Sequence, residues 1–282
     1  MRLILLTTLA MMAFAANSIL TRLAVDGGHI DPSGFGILRT LAGAAVLSIL
    51  ISVRGGPRPL FQHKRLLGGI SLAAYMIGFS LAYLTLDAGL GALILFGVTQ
   101  IAMFTYGVCK GSTPNMRQLS GAGIAFLGLL IALWPSSTGS TDLIGASFMI
   151  VAGIGWAAYT LLGRGGQDPL ADTAASFLIC LPILLVLLVG TGLQFGPIGV
   201  GLAILSGGVT SGLGYALWYS VLPKMESATA AVVQLSVPIL AIIAGVLLLG
   251  ESLTLSVFVS AVLVLCGIGW AASAQSVPKD RS

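Results

Sequence analysis

The sequence predicts an all-α, polytopic membrane protein of ten transmembrane helices, arranged as two inverted five-helix repeats. Three observations predict it. Of the 282 residues, 57% are apolar and only 8% charged, against about 25% charged in a soluble globular chain. The apolar residues fall in ten runs, each near the roughly 20 residues that one helical crossing of a bilayer requires. The basic residues gather in alternate connections, as the retention of Lys and Arg on the cytoplasmic side demands. Ten crossings leave no room for an extramembrane domain. The net charge of +4 is the excess of 13 basic over 9 acidic residues, and the basic ones are scattered along the chain, which excludes the basic stripe of a nucleic-acid binder.

Each run is bounded by charge, Gly or Pro. The first, 3–25, lies between Arg2 and Asp26. Met1-Arg2 and the small-residue stretch Ala13 to Ala16 imitate a cleavable signal peptide, but Asn17 to Val25 prolongs the run and nine more follow, so it reads as a span. The second, 33–53, follows Asp31-Pro32 and stops at Arg54; the third, 66–86, runs from Arg65 to Asp87; the fourth, 89–109, from Asp87 to Lys110; the fifth, 118–135, begins after Arg117. The sixth to tenth cover 143–163, 173–191, 198–221, 227–250 and 254–274. Bare backbone is not tolerated in hydrocarbon, and runs this long and uniformly apolar do not suit barrel strands, so the spans are helices.

With the N-terminus inside, the cytoplasmic segments hold Arg2, Arg54, Arg58, Lys64, Arg65, Lys110, Arg117, Arg164, Lys224, Lys279 and Arg281, eleven of the thirteen basic residues. The opposite connections, around Asp26 to Asp31, Asp87, Asp142, Thr191 to Pro197 and Glu251, hold none. Both termini are therefore expected in the cytoplasm.

Five is an odd number, so a duplicated unit re-enters the membrane inverted. Residues 1–137 and 143–274 form the two expected repeats, and 275–282 a cytoplasmic tail. Phe14 and Arg22 correspond to Trp156 and Arg164, Asp31-Pro32 to Asp168-Pro169, Phe79 to Tyr215, Tyr83 to Tyr219, and Gly89–Gln100 to Ser227–Pro238. The stretch Ala13 to Leu50, with Asn17 to Arg22, Asp31-Pro32 and Leu38-Arg39, resembles the opening of an EamA-type member of the drug/metabolite transporter superfamily. Ala230 to Leu253, with Pro238 and Gly250-Glu251, resembles the family's ninth helix and its end. Within the family the chain looks most similar to YddG-type bacterial exporters of amino acids. It departs from the pattern at the fourth helix, where Gln100 and Lys110-Gly111-Ser112 replace the proline and the Gly-Glu ending. The resemblance implies that the first four helices of each repeat surround the substrate path, while the fifth and tenth stand outside it, in a monomer or at a homodimer contact.

Charge inside a membrane is costly and marks function by default. Arg39 lies eight residues past Asp31, about 12 Å down the second helix. Two readings stay open: a guanidinium that meets a carboxylate in a central cavity, or a structural arginine bonded to carbonyls. Arg22 sits four residues before Asp26 on one helical face and reads as snorkelled or locally paired. Tyr75, Phe79 and Tyr83 line one face of the third helix, and Tyr215, Trp218 and Tyr219 one face of the eighth; with Trp156 and Tyr159 on the sixth they offer rings and donors to a polar solute. For Tyr83 and Tyr219 an interfacial aromatic belt is the favoured reading. Asn17, Gln100, Gln234 and the Thr210-Ser211 pair must find polar partners, between helices or on a substrate. Gly208 and Gly212 form a small-xxx-small pair, and Gly153 to Gly155, Pro182 and Pro238 are candidate hinges.

All nine carboxylates lie in connections or at span ends, which disfavours a buried-acid proton relay and the export of lipophilic cations. The cysteines Cys109, Cys180 and Cys266 lie singly and His29 and His63 outside the spans, so no disulfide, metal site or cofactor is expected. No span holds a histidine or an aspartate pair to activate a nucleophile, so no enzyme is expected. The best-matching function is export of small zwitterions, amino acids with aromatic or other neutral side chains, by alternating access. A flippase or accessory subunit for a lipid-linked anionic cargo is the alternative.

Overall fold

The computed structural model describes residues 2–55, 62–111, 113–134, 142–163, 168–188, 193–225, 230 and 233–273. Arg58, Ser112, Arg164, Ser227, Lys279 and Arg281, to which the sequence gives topological or repeat roles, lie outside the described residues. Among the described residues ten helices of five residues or more follow one another: α1 (Arg2–Val25), α2 (Pro32–Arg54), α3 (His63–Ala82), α4 (Ala88–Cys109), α5 (Met116–Leu133), α6 (Leu143–Gly163), α7 (Pro169–Leu188), α8 (Pro197–Lys224), α9 (Ser236–Leu249) and α10 (Leu255–Ser273). All but α9 are long and apolar enough to cross a membrane. Among the described residues the only β pairing is an isolated antiparallel bridge between Ile30 and Phe195.

The bundle is apolar outside and partly polar inside. Ile4, Val53, Ile144, Val186 and Leu247 are fully or largely exposed, whereas Asn17, Arg39, Thr99, Ser206 and Ser211 are buried. Lipid, not water, suits that outer surface.

Local chemistry sets several boundaries. Asp31 caps α2: one carboxylate oxygen accepts the Gly34 N–H at 2.9 Å, and Pro32 occupies the first turn, where no N–H is needed. The other oxygen accepts the Gln194 N–H at 2.8 Å, tying the α1–α2 connection to the one before α8. Asp168 accepts the Ala171 N–H at 3.3 Å beside Pro169, so α7 starts four residues earlier than the apolar run suggests. Tyr83 to Leu86 fold back as a turn on Leu81 and Ala82, which ends α3 at Ala82 and not near 86. Asp31→Ala is expected to cost about 1 kcal/mol, the usual value of a side-chain cap, read as a lower thermal midpoint in detergent.

Gly153 and Gly155 are not breaks. They lie inside the continuous helix α6, where a Cβ on Gly155 would stand 2.8 Å from the Ser71 carbonyl oxygen and the Tyr75 nitrogen. Gly155, with Gly78 facing Ala152, brings α3 and α6 into backbone contact, while Gly153 faces Val98 and the Leu95 carbonyl of α4. Pro182 likewise lies within α7, whereas Pro238 stands in the first turn of α9, directly after a turn at Leu235 that interrupts the helix. Among the described residues these helices depart from α-helical geometry at two π-helical stretches, Ser206–Leu213 inside α8 and Gly245–Leu249 closing α9, and at the 3-10 turn Leu222–Lys224 that ends α8. Helices α5 and α10 pair with each other at Gly121, Gly128 and Gly267, and join the rest chiefly through α4.

Candidate functional site

The close crossing of α3 and α6 brings Tyr75 and Trp156 ring to ring, with centroids 5.1 Å apart. Four-residue spacing puts Phe79 next to Tyr75 on the same face at 5.1 Å. Phe14 of α1 meets Trp156 at 5.9 Å and Tyr215 of α8 at 5.6 Å, edge to face, and Trp156 meets Tyr215 at 5.2 Å. Four helices thus supply one cage of rings. It borders a narrow hollow lined by Phe14, Asn17, Ser18, Tyr75, Phe79, Leu95, Phe96, Trp156 and Tyr215.

Arg39 stands behind Tyr75 and Phe79, fully buried and absent from the lining of the hollow. Its Nε donates to the Ser211 hydroxyl at 3.1 Å and one Nη2 hydrogen to the Tyr75 hydroxyl at 3.0 Å. Its guanidinium carbon lies 4.9 Å from the Phe79 ring centre and 5.4 Å from that of Tyr75, a stabilising cation–π arrangement in a dry setting. Nη1 has no partner, and among the described residues no carboxylate lies within ion-pair distance of this cation. Partners are ordinarily required for buried charge. The indole nitrogen of Trp156 and the hydroxyl of Tyr215 are also buried without one.

A second polar group adjoins the first. The side-chain oxygen of Asn17 accepts hydrogen bonds from the hydroxyls of Ser206 at 2.8 Å, Thr210, and Ser211 at 3.3 Å, all on the π-helical stretch of α8. π-helical turns widen the backbone and concentrate at functional sites. Gly207 lets that stretch press against the backbone of Arg39.

Of the residues singled out by sequence, Asn17, Tyr75, Phe79, Trp156 and Tyr215 line the hollow, and Arg39 sits one layer behind. Tyr159 and Tyr219 belong to a second narrow hollow at the end of the bundle that carries Lys64, Arg65 and Asp172. There Arg65 and Asp172 pair at 2.8 Å, and nearby Arg54 and Asp168 at 3.0 Å. Trp218, Gln100 and Gln234 line neither hollow: Trp218 packs edge-on to Phe14 at 6.0 Å, Gln234 is buried and Gln100 half-buried. The aromatic-belt reading of Tyr83 and Tyr219 is corrected, since both are buried; Tyr83 turns inward under Phe79 and donates to the Ala88 carbonyl at 3.3 Å. Phe14, named in the sequence only for its place in the repeat, and Ser18, Leu95 and Phe96 were not anticipated as lining residues. The last two lie in an all-apolar stretch with no feature to separate lining from lipid face.

The opposite end is tied shut. Arg22 pairs with Asp26 at 3.2 Å as its position four residues away predicts, but also reaches Asp87 at 3.5 Å and Glu251 at 3.9 Å. Glu251 in turn accepts the N–H groups of Ala88 at 2.6 Å and Gly89 at 3.4 Å, capping α4. Gly250, with φ of 70°, provides the left-handed turn that aims it there. Burial holds the Glu251 carboxyl above its ordinary range, against the pull of those donors and Arg22. Opening that hydrates Glu251 returns it toward the ordinary value, so the closed arrangement binds the proton more tightly. Acidification through the interval between the two is therefore expected to favour closure. The spin–spin distance between labels on Leu84 and Leu253 should shorten as pH falls, and the dependence should vanish in Glu251→Gln.

Residues 143–272 match the description of the EamA-like transporter family. An uncharacterized protein of Pseudomonas aeruginosa is 44% identical over 270 residues, covering 95% of this chain and 93% of its own. A protein of Escherichia coli named a probable amino-acid metabolite efflux pump is 24% identical over 242 residues, covering 75% and 77%. One solved crystal structure of a protein superimposes with a TM-score of 0.65 at 15% identity, covering 97% of this chain and 98% of that one, a likeness of fold alone. Ten successive apolar helices, a lipid-suited exterior and these matches agree, and the chain belongs to the EamA-like transporter family of multi-pass membrane proteins.

Proposed function

We propose that this transporter exports small zwitterions, above all amino acids with aromatic or other neutral side chains, by alternating access between two inverted repeats, residues 1–137 and 143–274. The observation that carries the reading is Arg39: a buried cation with, among the described residues, a free N–H and no acidic partner, and a hollow of rings in front of it. A carboxylate supplies the missing charge, and the guanidinium fork suits it. The rings accept an apolar side chain, and their faces an ammonium group. Tyr75 and Phe79 stand between the hollow and Arg39, so their rotation is part of loading. The pump named in Escherichia coli supports the substrate class. The basic connections support an inner-membrane location with both termini in the cytoplasm, so the end closed around Glu251 faces outward and the hollow beside Arg65 faces the cytoplasm.

With no acid deep in the spans, transport runs down the solute's own gradient. Proteoliposomes loaded with labelled phenylalanine should lose it without an imposed proton gradient. Strict dependence of flux on such a gradient, or movement of lipid-linked cargo alone, overturns the proposal.

A further inference from the structure

Arg39 is surrounded by neutral acceptors where a buried cation ordinarily has an acid, and Asn17 is the neighbour at which an acid would cost least. Its oxygen already accepts three hydroxyl donors, from Ser206, Thr210 and Ser211. A carboxylate there would accept the same three, and more strongly. Among the described residues the only bond that needs the amide is the long one from Nδ2 to the Thr210 carbonyl, at 3.4 Å. Ser211 links the two residues in a defined direction: its oxygen accepts the Arg39 Nε hydrogen, and its own hydrogen goes to Asn17. An aspartate at 17 would thus sit one hydroxyl away from the guanidinium and neutralise it from within.

We propose that Asn17 is a specificity-determining residue: by organising the π-helical stretch of α8 with an uncharged acceptor, it leaves the Arg39 charge to the solute, and so makes the protein select carboxylate-bearing solutes over cationic analogues of the same shape. Asn17 acts through Ser211 and is a positioning residue. The proposal rests on the substrate class inferred above.

The test is equilibrium binding to the purified full chain in detergent, with phenylalanine and phenylalaninamide, which keeps the ring and ammonium but lacks the carboxylate. Wild type is expected to prefer phenylalanine by at least about tenfold, the weight of one charge-assisted contact. Asn17→Asp should erase or reverse that preference, while the neutral Asn17→Ser should keep its sign. Where Asn17→Asp gives no folded protein, Ser211→Asp carries the same expectation, since it sets the acid directly on Arg39 Nε. A wild-type preference that persists undiminished in the acidic variant overturns the proposal and leaves the substrate class standing. A wild type that binds both ligands alike, and is indifferent to Arg39→Gln, overturns the substrate class and this proposal with it.

Discussion

Arg39→Gln is expected to weaken binding and transport of a carboxylate-bearing solute by about 10- to 150-fold, the equivalent of roughly 1.5–3 kcal/mol for a hydrogen bond to a charged group. Folded yield should stay near that of wild type, because two effects oppose. The substitution loses the ring contacts and one of the bonds to Ser211 and Tyr75. It also relieves the burial of a cation that no acid neutralises, a penalty of several kcal/mol per ion in a dry interior. Glutamine retains a donor for one of the two hydroxyls. The measurement is flux in liposomes beside monodispersity in detergent. Normal flux would retire the carboxylate role of Arg39, and a collapse of folded protein would make it a pin joining α2, α3 and α8.

Gly207→Val is expected to be the most damaging change outside the cage. A Cβ at this position would overlap the carbonyl oxygen of Arg39 and stand 2.8 Å from its carbonyl carbon and Cα. All three are backbone atoms, so relief requires α2 and α8 to separate. Overpacking of this kind costs about 3 kcal/mol, and separating the helices moves Ser211 away from Arg39. Gly208→Ala is the internal control: its Cβ would meet the Val46 side chain at 3.4 Å, an ordinary contact, and its thermal midpoint should match that of wild type. Equal losses in the two variants would contradict the steric account. The small-xxx-small spacing of Gly208 and Gly212 suggests the reverse order of importance. Spacing identifies a helix face on which glycines recur, but the crossing point along that face depends on where the partner backbone lies.

The cage was legible only in part. Ring recurrence every four residues correctly groups Tyr75 with Phe79, because helical geometry fixes neighbours within one helix. The same reasoning admits Trp218, which packs on Phe14 and lines neither hollow. The partners of Asn17 lie about 190 positions away in the chain, on a stretch whose π-helical geometry the run Ser206-Gly207-Gly208 only hints at. Arg22 shows the same division. Its pairing with Asp26 follows from spacing, while its reach to Asp87 and Glu251 depends on three connections meeting at one end.

The amino-acid order alone determined the succession and approximate limits of the membrane helices, except the ninth, whose described helix begins at Ser236 and not near 227, and the scarcity of charge within them. Transfer of a segment into lipid is a local sum over its own residues. Which side of each helix faces inward was decided only by the tertiary structure. A helix apolar all round presents no stripe from which its rotation can be read. Rotation is set instead by backbone approach at glycines such as Gly78, Gly155 and Gly207, and by the few polar groups that must find one another away from water.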